Sequence, residues 1–157
     1  MLRKNIFLGL ILALTTVFAV GASAQTATSA PAKPKAAVKK KIHATPKVVF
    51  QVSDNDPAKW NLALNNAKNV QQEYGADKVD IEIVAYGPGI GMLKAESTTA
   101  NRVSEATQAG VKIVACENTM TAQKLTKADM NPAIGYVPAG VVELMKRQGE
   151  GWAYIRP

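Results

Sequence analysis

From residue 47 onward, short aliphatic runs alternate with segments of helical period, and a glycine stands at most changes of pattern. Val48-Val49-Phe50-Gln51-Val52 has the composition of a strand, because β-branched side chains suit a pleated surface. Asp56-Pro57 opens a helix, with Asp as N-cap and Pro at a position that needs no amide hydrogen. Apolar residues then recur at Trp60, Ala63, Leu64, Ala67, Val70 and Tyr74, one face of a helix, and Gly75 stops it. A second strand is expected over 79–86, ended by Gly87-Pro88-Gly89. A weaker helical pattern covers 98–109, with Gly110 after it. A third strand follows over 111–115, then a short helix over 119–125 and a further turn at 126–129. The last elements are a strand over 134–137, a helix over 139–148 and a strand over 152–155. Such alternation predicts an α/β fold, a five-stranded, mainly parallel sheet with helices on both faces. Crossovers of one hand leave few strand orders, and a flavodoxin-like order, 2-1-3-4-5, is expected.

The 46 residues before this region have another character. Arg3 and Lys4 precede an apolar run from Ile6 to Val20, and Ala22-Ser23-Ala24 supplies the small residues a signal peptidase reads. Residues 1–24 are therefore expected to be a cleaved signal peptide. Mass analysis of the exported protein should find Gln25 at the N-terminus, and an intact Met1 would refute this. A run of 15 residues, apolar but for Thr15 and Thr16, is short for a membrane span, which needs about 20. No cysteine follows the run, so no lipoprotein anchor is expected. The export reading places the mature protein in the periplasm, soluble after cleavage. Residues 25–46 hold Ala, Pro, Lys and Thr with no acid and no aromatic, a composition that cannot bury enough apolar surface to order itself. They are expected to form a disordered linker that folding does not require.

Charge follows the same boundary. The chain carries a formal +7, yet residues 47–157 hold 12 basic and 12 acidic side chains. The mature excess is Lys33, Lys35, Lys39, Lys40 and Lys41. This tail is a spacer, or an electrostatic tether giving weak contact with an anionic membrane surface. A nucleic-acid arm is not expected, because export separates the chain from nucleic acid and no aromatic side chain is present for base stacking. His43 lies in the tail without acidic or thiol neighbours, so no metal site is expected there. It is the only histidine, so the domain has no Ser-His-Asp set, no Cys-His pair and no metal cluster; no cofactor is expected. Cys116 is the only cysteine. An intramolecular disulfide is impossible, and the fold must rest on a packed core.

The stretches WNLALNNAKN (60–69), VAYGPGIGML (84–93), GVKIVACENTM (110–120) and YVPAGVVELMKRQGEGWAYIRP (136–157) resemble the DsrE/DsrF-like family, in particular its small stand-alone members. The resemblance spans the domain, 47–157, and leaves out the tail. It implies a DsrE-type α/β fold and a homo-oligomer, often a trimer or hexamer. In the family's better-understood branch, proteins pass sulfur as a cysteine persulfide between donor and acceptor partners, in sulfur oxidation or in thiolation of transfer RNA. Cys116 falls where many members of the narrower group carry a cysteine.

Parallel sheets bind ligands beyond the carboxyl ends of their strands. Cys116 is expected there, with Tyr86, Gly87 and Gly89 after the second strand and Ser53, Asp54 and Asn55 after the first. Asn118 and Thr119 open the turn into the next helix, whose free N–H groups would favour a thiolate. Against this, Cys116 could be a buried apolar residue, and Glu117 would oppose ionisation if it turned inward. Gly87-Pro88-Gly89 lacks the spacing of a phosphate loop; it is a tight turn, or a place where backbone approaches a small ligand. Asn66 borders the apolar face of the first helix and either fixes a loop or faces the ligand cleft. Leu62 lies off that face, exposed or at a subunit contact. Two functions are open. One is a sulfur carrier or thiol-dependent transfer protein using Cys116, rather than a turnover enzyme. The other is a non-catalytic oligomeric module that binds a small ligand or associates with the envelope.

Overall fold

The computed structural model describes residues 45–157. The segment expected to be a signal peptide, His43 and all but the last two residues of the expected linker lie outside the described residues. Pro46 already belongs to the sheet's margin, since its carbonyl accepts from the Asp80 amide at 2.9 Å.

Five parallel strands form the sheet: β1 (Lys47–Val52), β2 (Asp80–Ala85), β3 (Lys112–Cys116), β4 (Gly135–Val137) and β5 (Ala153–Ile155). Four helices connect or flank them: α1 (Pro57–Tyr74), α2 (Ala100–Gln108), α3 (Glu117–Ala122) and α4 (Gly140–Gly149). The start of α1 follows the capping expectation. Asp56 is extended, its side chain accepts from the Ala58 amide at 2.8 Å, and Pro57 occupies the first turn. Trp60, Ala63, Leu64 and Ala67 bury the face read from the sequence. The segment after β2 is more than a turn. Gly87–Leu93 is a run of 3-10 helix that buries Ile90, Met92 and Leu93. Glycine and proline hid it, since both read as turn punctuation.

The fold class is as expected, but the strand order is β4-β3-β2-β1-β5, not 2-1-3-4-5. The reason is burial. All of β2 except Asp80 is buried, so both its faces and both its edges need cover, which an edge strand lacks. The three-residue strands β4 and β5 take the edges instead, as short strands do where unpaired backbone must be kept small. The chain thus steps in one direction from β1 to β4. Right-handed crossovers put every helix of such a series on one face. There α1, α2 and α3 pack on Val48, Phe50, Val52, Ile81, Ile83 and Ile113. The return from β4 to β5 runs the other way, so α4 covers the opposite face, over Val49, Val84, Val114 and Val137.

The seat of α4 is partly ionic. Glu82 points from the middle of β2 under α4 and is fully buried. Its Oε2 accepts from Arg147 Nε, and its Oε1 lies 3.0 Å from Lys112 Nζ, an ion pair without hydrogen-bond geometry. Arg147 also reaches Glu143 and Glu150, each at 2.9 Å, and its guanidinium lies 4.8 Å from the Trp152 ring centroid. The outer side of α4 exposes Val141, Val142 and Met145.

Candidate functional site

Cys116 ends β3, and Val137 of β4 lies beside it in register. The chain leaves β3 towards the three-helix face and leaves β4 towards the α4 face. Adjacent strands whose connections part to opposite faces leave a crevice at their carboxyl ends, the usual ligand site of open α/β sheets. Cys116 stands in that crevice. By alternation from Ile113 and Val114, its side chain faces the α4 side of the sheet.

Both following segments close on the thiol. Cys116 is the N-cap of α3, and the N-terminal turn of α4 crosses above it. Sγ lies 4.0 Å from the Pro138 carbonyl, at the limit of a weak S–H donation, and makes no capping bond to α3. The Asn118 amide donates to the same Pro138 carbonyl at 3.1 Å, joining the two turns. Burial pushes the Cys116 thiol up. The Thr119 hydroxyl and the N–H groups of Gly140, Thr119 and Asn118 more than offset this, and the thiol titrates below its ordinary value. A group that ionises more readily in the fold than in the unfolded chain adds stability in its ionised form. That contribution is complete above the unfolded thiol's pKa and is lost as the pH falls through the folded one.

Cys116 is shielded rather than open. Only 5% of the residue is exposed, because the Pro138–Gly140 turn closes over it, contributed by a segment more than twenty residues away. Glu117 is not among the groups that shift the thiol; burial first, and the Glu117 carboxylate second, raise the Tyr136 phenol, which packs towards the three-helix face.

The other residues singled out from the sequence do not all meet in one place. Tyr86, Gly87 and Thr119 join Cys116 at one end of the sheet. The Gly87 amide donates to Thr119 Oγ1 at 2.9 Å, and its carbonyl accepts from Gln123 Nε2 at 3.2 Å. Gly87 has φ 53°, the left-handed region that favours glycine. Gly89 instead packs into the end of β1: an added Cβ would lie 2.6 Å from the Val52 carbonyl carbon. Asn66 sits midway along α1, on the opposite face of the sheet from the Cys116 side chain, so it does not join this group. Ser53 and Asp54 lie at the β1 edge, where Ser53 accepts from Gln51 and Asp54 pairs with Lys59 and Arg156. Pro138, Gly140 and Gln123 were not anticipated. The glycine at the head of an apolar helix, PAGVVELM, was the available signal.

Two hollows lie elsewhere. The larger, about 480 Å³, opens between α1 and α2 over Leu64, Ala67, Ala106 and Val111, with no thiol or hydroxyl side chain in its lining. The smaller, about 430 Å³, lies beside Trp60, Lys94 and Asp129. The chemistry therefore rests on the thiol rather than on cavity size. Among the described residues no group of three His, Cys, Asp or Glu side chains could hold a metal ion, and no helix is long and apolar enough to cross a membrane.

Comparison with known proteins adds four findings. The model of the DsrE/DsrF-like family matches residues 46–157. A protein of unknown function from Methanobacterium thermoautotrophicum is 37% identical, with a TM-score of 0.68, over 71% of this chain and 99% of that one. A conserved protein of unknown function from Bacteroides thetaiotaomicron shares the fold at 15% identity, with a TM-score of 0.57, over 74% of this chain and 98% of its own. A search of curated proteins returns no match.

Proposed function

The chain belongs to the DsrE/DsrF-like family, and on that premise we propose that it is an exported sulfur carrier that holds one sulfur atom as a persulfide on Cys116. The observation that carries the reading is the placement of the only thiol of the chain, in the crevice where β3 and β4 send their connections to opposite faces. Its lowered titration supports the same reading, since the thiolate is the nucleophile.

The Cys116 thiolate attacks the outer sulfur of a donor persulfide, R–S–SH. A new S–S bond forms to Cys116 as the donor's S–S bond breaks, and R–S⁻ leaves with the bonding electron pair. The product is Cys116–S–SH. No electrons are gained or lost overall, and the reverse step delivers sulfur to an acceptor thiolate. The Gly140 and Thr119 N–H groups are placed to stabilise the negative sulfur before and after transfer. Burial of the site limits side reactions of the persulfide with water and oxidants.

A cleft for a small non-covalent ligand over Gly87 and Gly89 is not favoured. Gly89 is pressed on β1, and both polar groups of Gly87 are bonded, to Thr119 of α3 and to Gln123 just after it. Export is supported by the basic and apolar leader with its small-residue cleavage site.

Glutathione persulfide is a suitable probe. Folded wild-type protein should gain the mass of one sulfur atom, removable by a reducing thiol. Cys116→Ser, which leaves no thiol in the chain, should gain none while keeping its circular dichroism spectrum. No sulfur on the wild type, or equal sulfur on the variant, removes the carrier reading.

A further inference from the structure

We propose that Tyr86 is a positioning residue, whose ring is the stop that seats the N-terminal turn of α4 over Cys116. The contact with Gly140 carries the inference. An added Cβ at Gly140 would lie 2.9 Å from Tyr86 Cβ and 3.2 Å from its ring. Gly140 is buried, and it is not among the glycines with positive φ. Its backbone conformation is open to any residue, and the three nearest obstacles to a side chain there all belong to Tyr86, its Cβ and two atoms of its ring.

Tyr86 is itself firmly held. Its amide donates to the Val52 carbonyl at 3.1 Å, and its own carbonyl accepts from the Gly89 amide at 3.1 Å. The end of β1 and the 3-10 run thus fix the ring, the ring fixes how far the α4 turn can descend, and that distance sets where the Gly140 amide stands relative to Sγ. The far end of α4 is fixed separately, by Arg147 on Glu82. A helix seated at both ends holds its N-terminal N–H groups at a constant place, and their effect on a charge falls off within the first turn.

The proposal rests on Cys116 being the working thiol, but it can be tested without sulfur. The readout is the pH midpoint of labelling of the native protein with a small haloacetamide. The ionisable groups on the elements around Cys116 are Glu117 on α3, Tyr86 itself after β2, Tyr136 on β4 and Glu143 on α4, with Glu82, Lys112 and Arg147 at the far end of the sheet. Gly140→Ala alters none of them. Wild type and Tyr86→Phe, which keeps the ring, should share one midpoint. Gly140→Ala, which wedges the turn off Tyr86, and Tyr86→Ala, which removes the ring and leaves only the Cβ, should each raise it by about one pH unit towards that of an ordinary thiol. An unmoved midpoint in a folded Gly140→Ala or Tyr86→Ala protein overturns the proposal, as does a shift in Tyr86→Phe equal to that in Tyr86→Ala. If one alanine variant does not fold, the other decides. Wild-type protein that loads sulfur while the variants' midpoints stay put removes the stop and keeps the carrier. Raised midpoints in a chain that takes up no sulfur do the reverse.

Discussion

Arg147→Met is expected to lower the unfolding free energy by about 3–5 kcal/mol. Glu82 has no exposed surface, and its Oε2 is bonded to Arg147. Removing the guanidinium leaves a carboxylate in the interior with only Lys112, which is half exposed and pairs through the other oxygen. Methionine retains the apolar stem but not the guanidinium over the Trp152 ring, a contact worth about 0.5–2 kcal/mol, so a loss above that reports the buried charge left without its partner. An exposed ion pair would be worth about 0–1 kcal/mol, and the difference in magnitude tells the two descriptions apart. Urea unfolding measures it. A loss below about 1 kcal/mol would show that Glu82 is solvated in solution. The double variant Glu82→Leu, Arg147→Met should recover most of the loss, because two apolar side chains can replace a buried ion pair at little cost. The pair then serves to fix where α4 sits, and with it the turn above Cys116.

Gly89→Ala is expected to destabilise the domain by about 3 kcal/mol, the upper end of the usual cost of overpacking. The added methyl would lie 2.6 Å from the Val52 carbonyl carbon and 2.8 Å from Ser53 Cα. Both are backbone atoms at the end of a central strand and cannot rotate away. The 3-10 run must therefore lift from β1, and it carries Ile90, Met92 and Leu93 in the core. Thermal unfolding checks the size of the loss. A variant as stable as the parent would mean that this run moves easily, and a ligand role for Gly89 would be open again. The expected result makes Gly89 a packing residue, which the sequence alone did not distinguish from one that lets a ligand approach.

Periodicity settled what depends on neighbours in the chain. The alternation of strand and helix, the Asp56-Pro57 start of α1, its buried face at Trp60, Ala63, Leu64 and Ala67, and the place of Cys116 at the end of β3 were all legible. Each is decided within a few residues, by side-chain direction, capping and turn chemistry. Family resemblance through 84–93, 110–120 and 136–157 led to the same fold. Contacts between distant segments were decided only in three dimensions. Strand order depends on which strands need cover on both faces, and Asp80-Ile81-Glu82-Ile83 reads as a strand with one wet face until α4 lies across Glu82. The surroundings of Cys116 come from Gly87, Thr119, Pro138 and Gly140, on three separate segments that follow three different strands, and no local pattern links them. Whether the thiol is open or shielded was likewise undetermined, because the turn that shields it belongs to the next crossover. Local chemistry chose the elements; the direction in which the chain crosses the sheet chose what stands beside the sulfur.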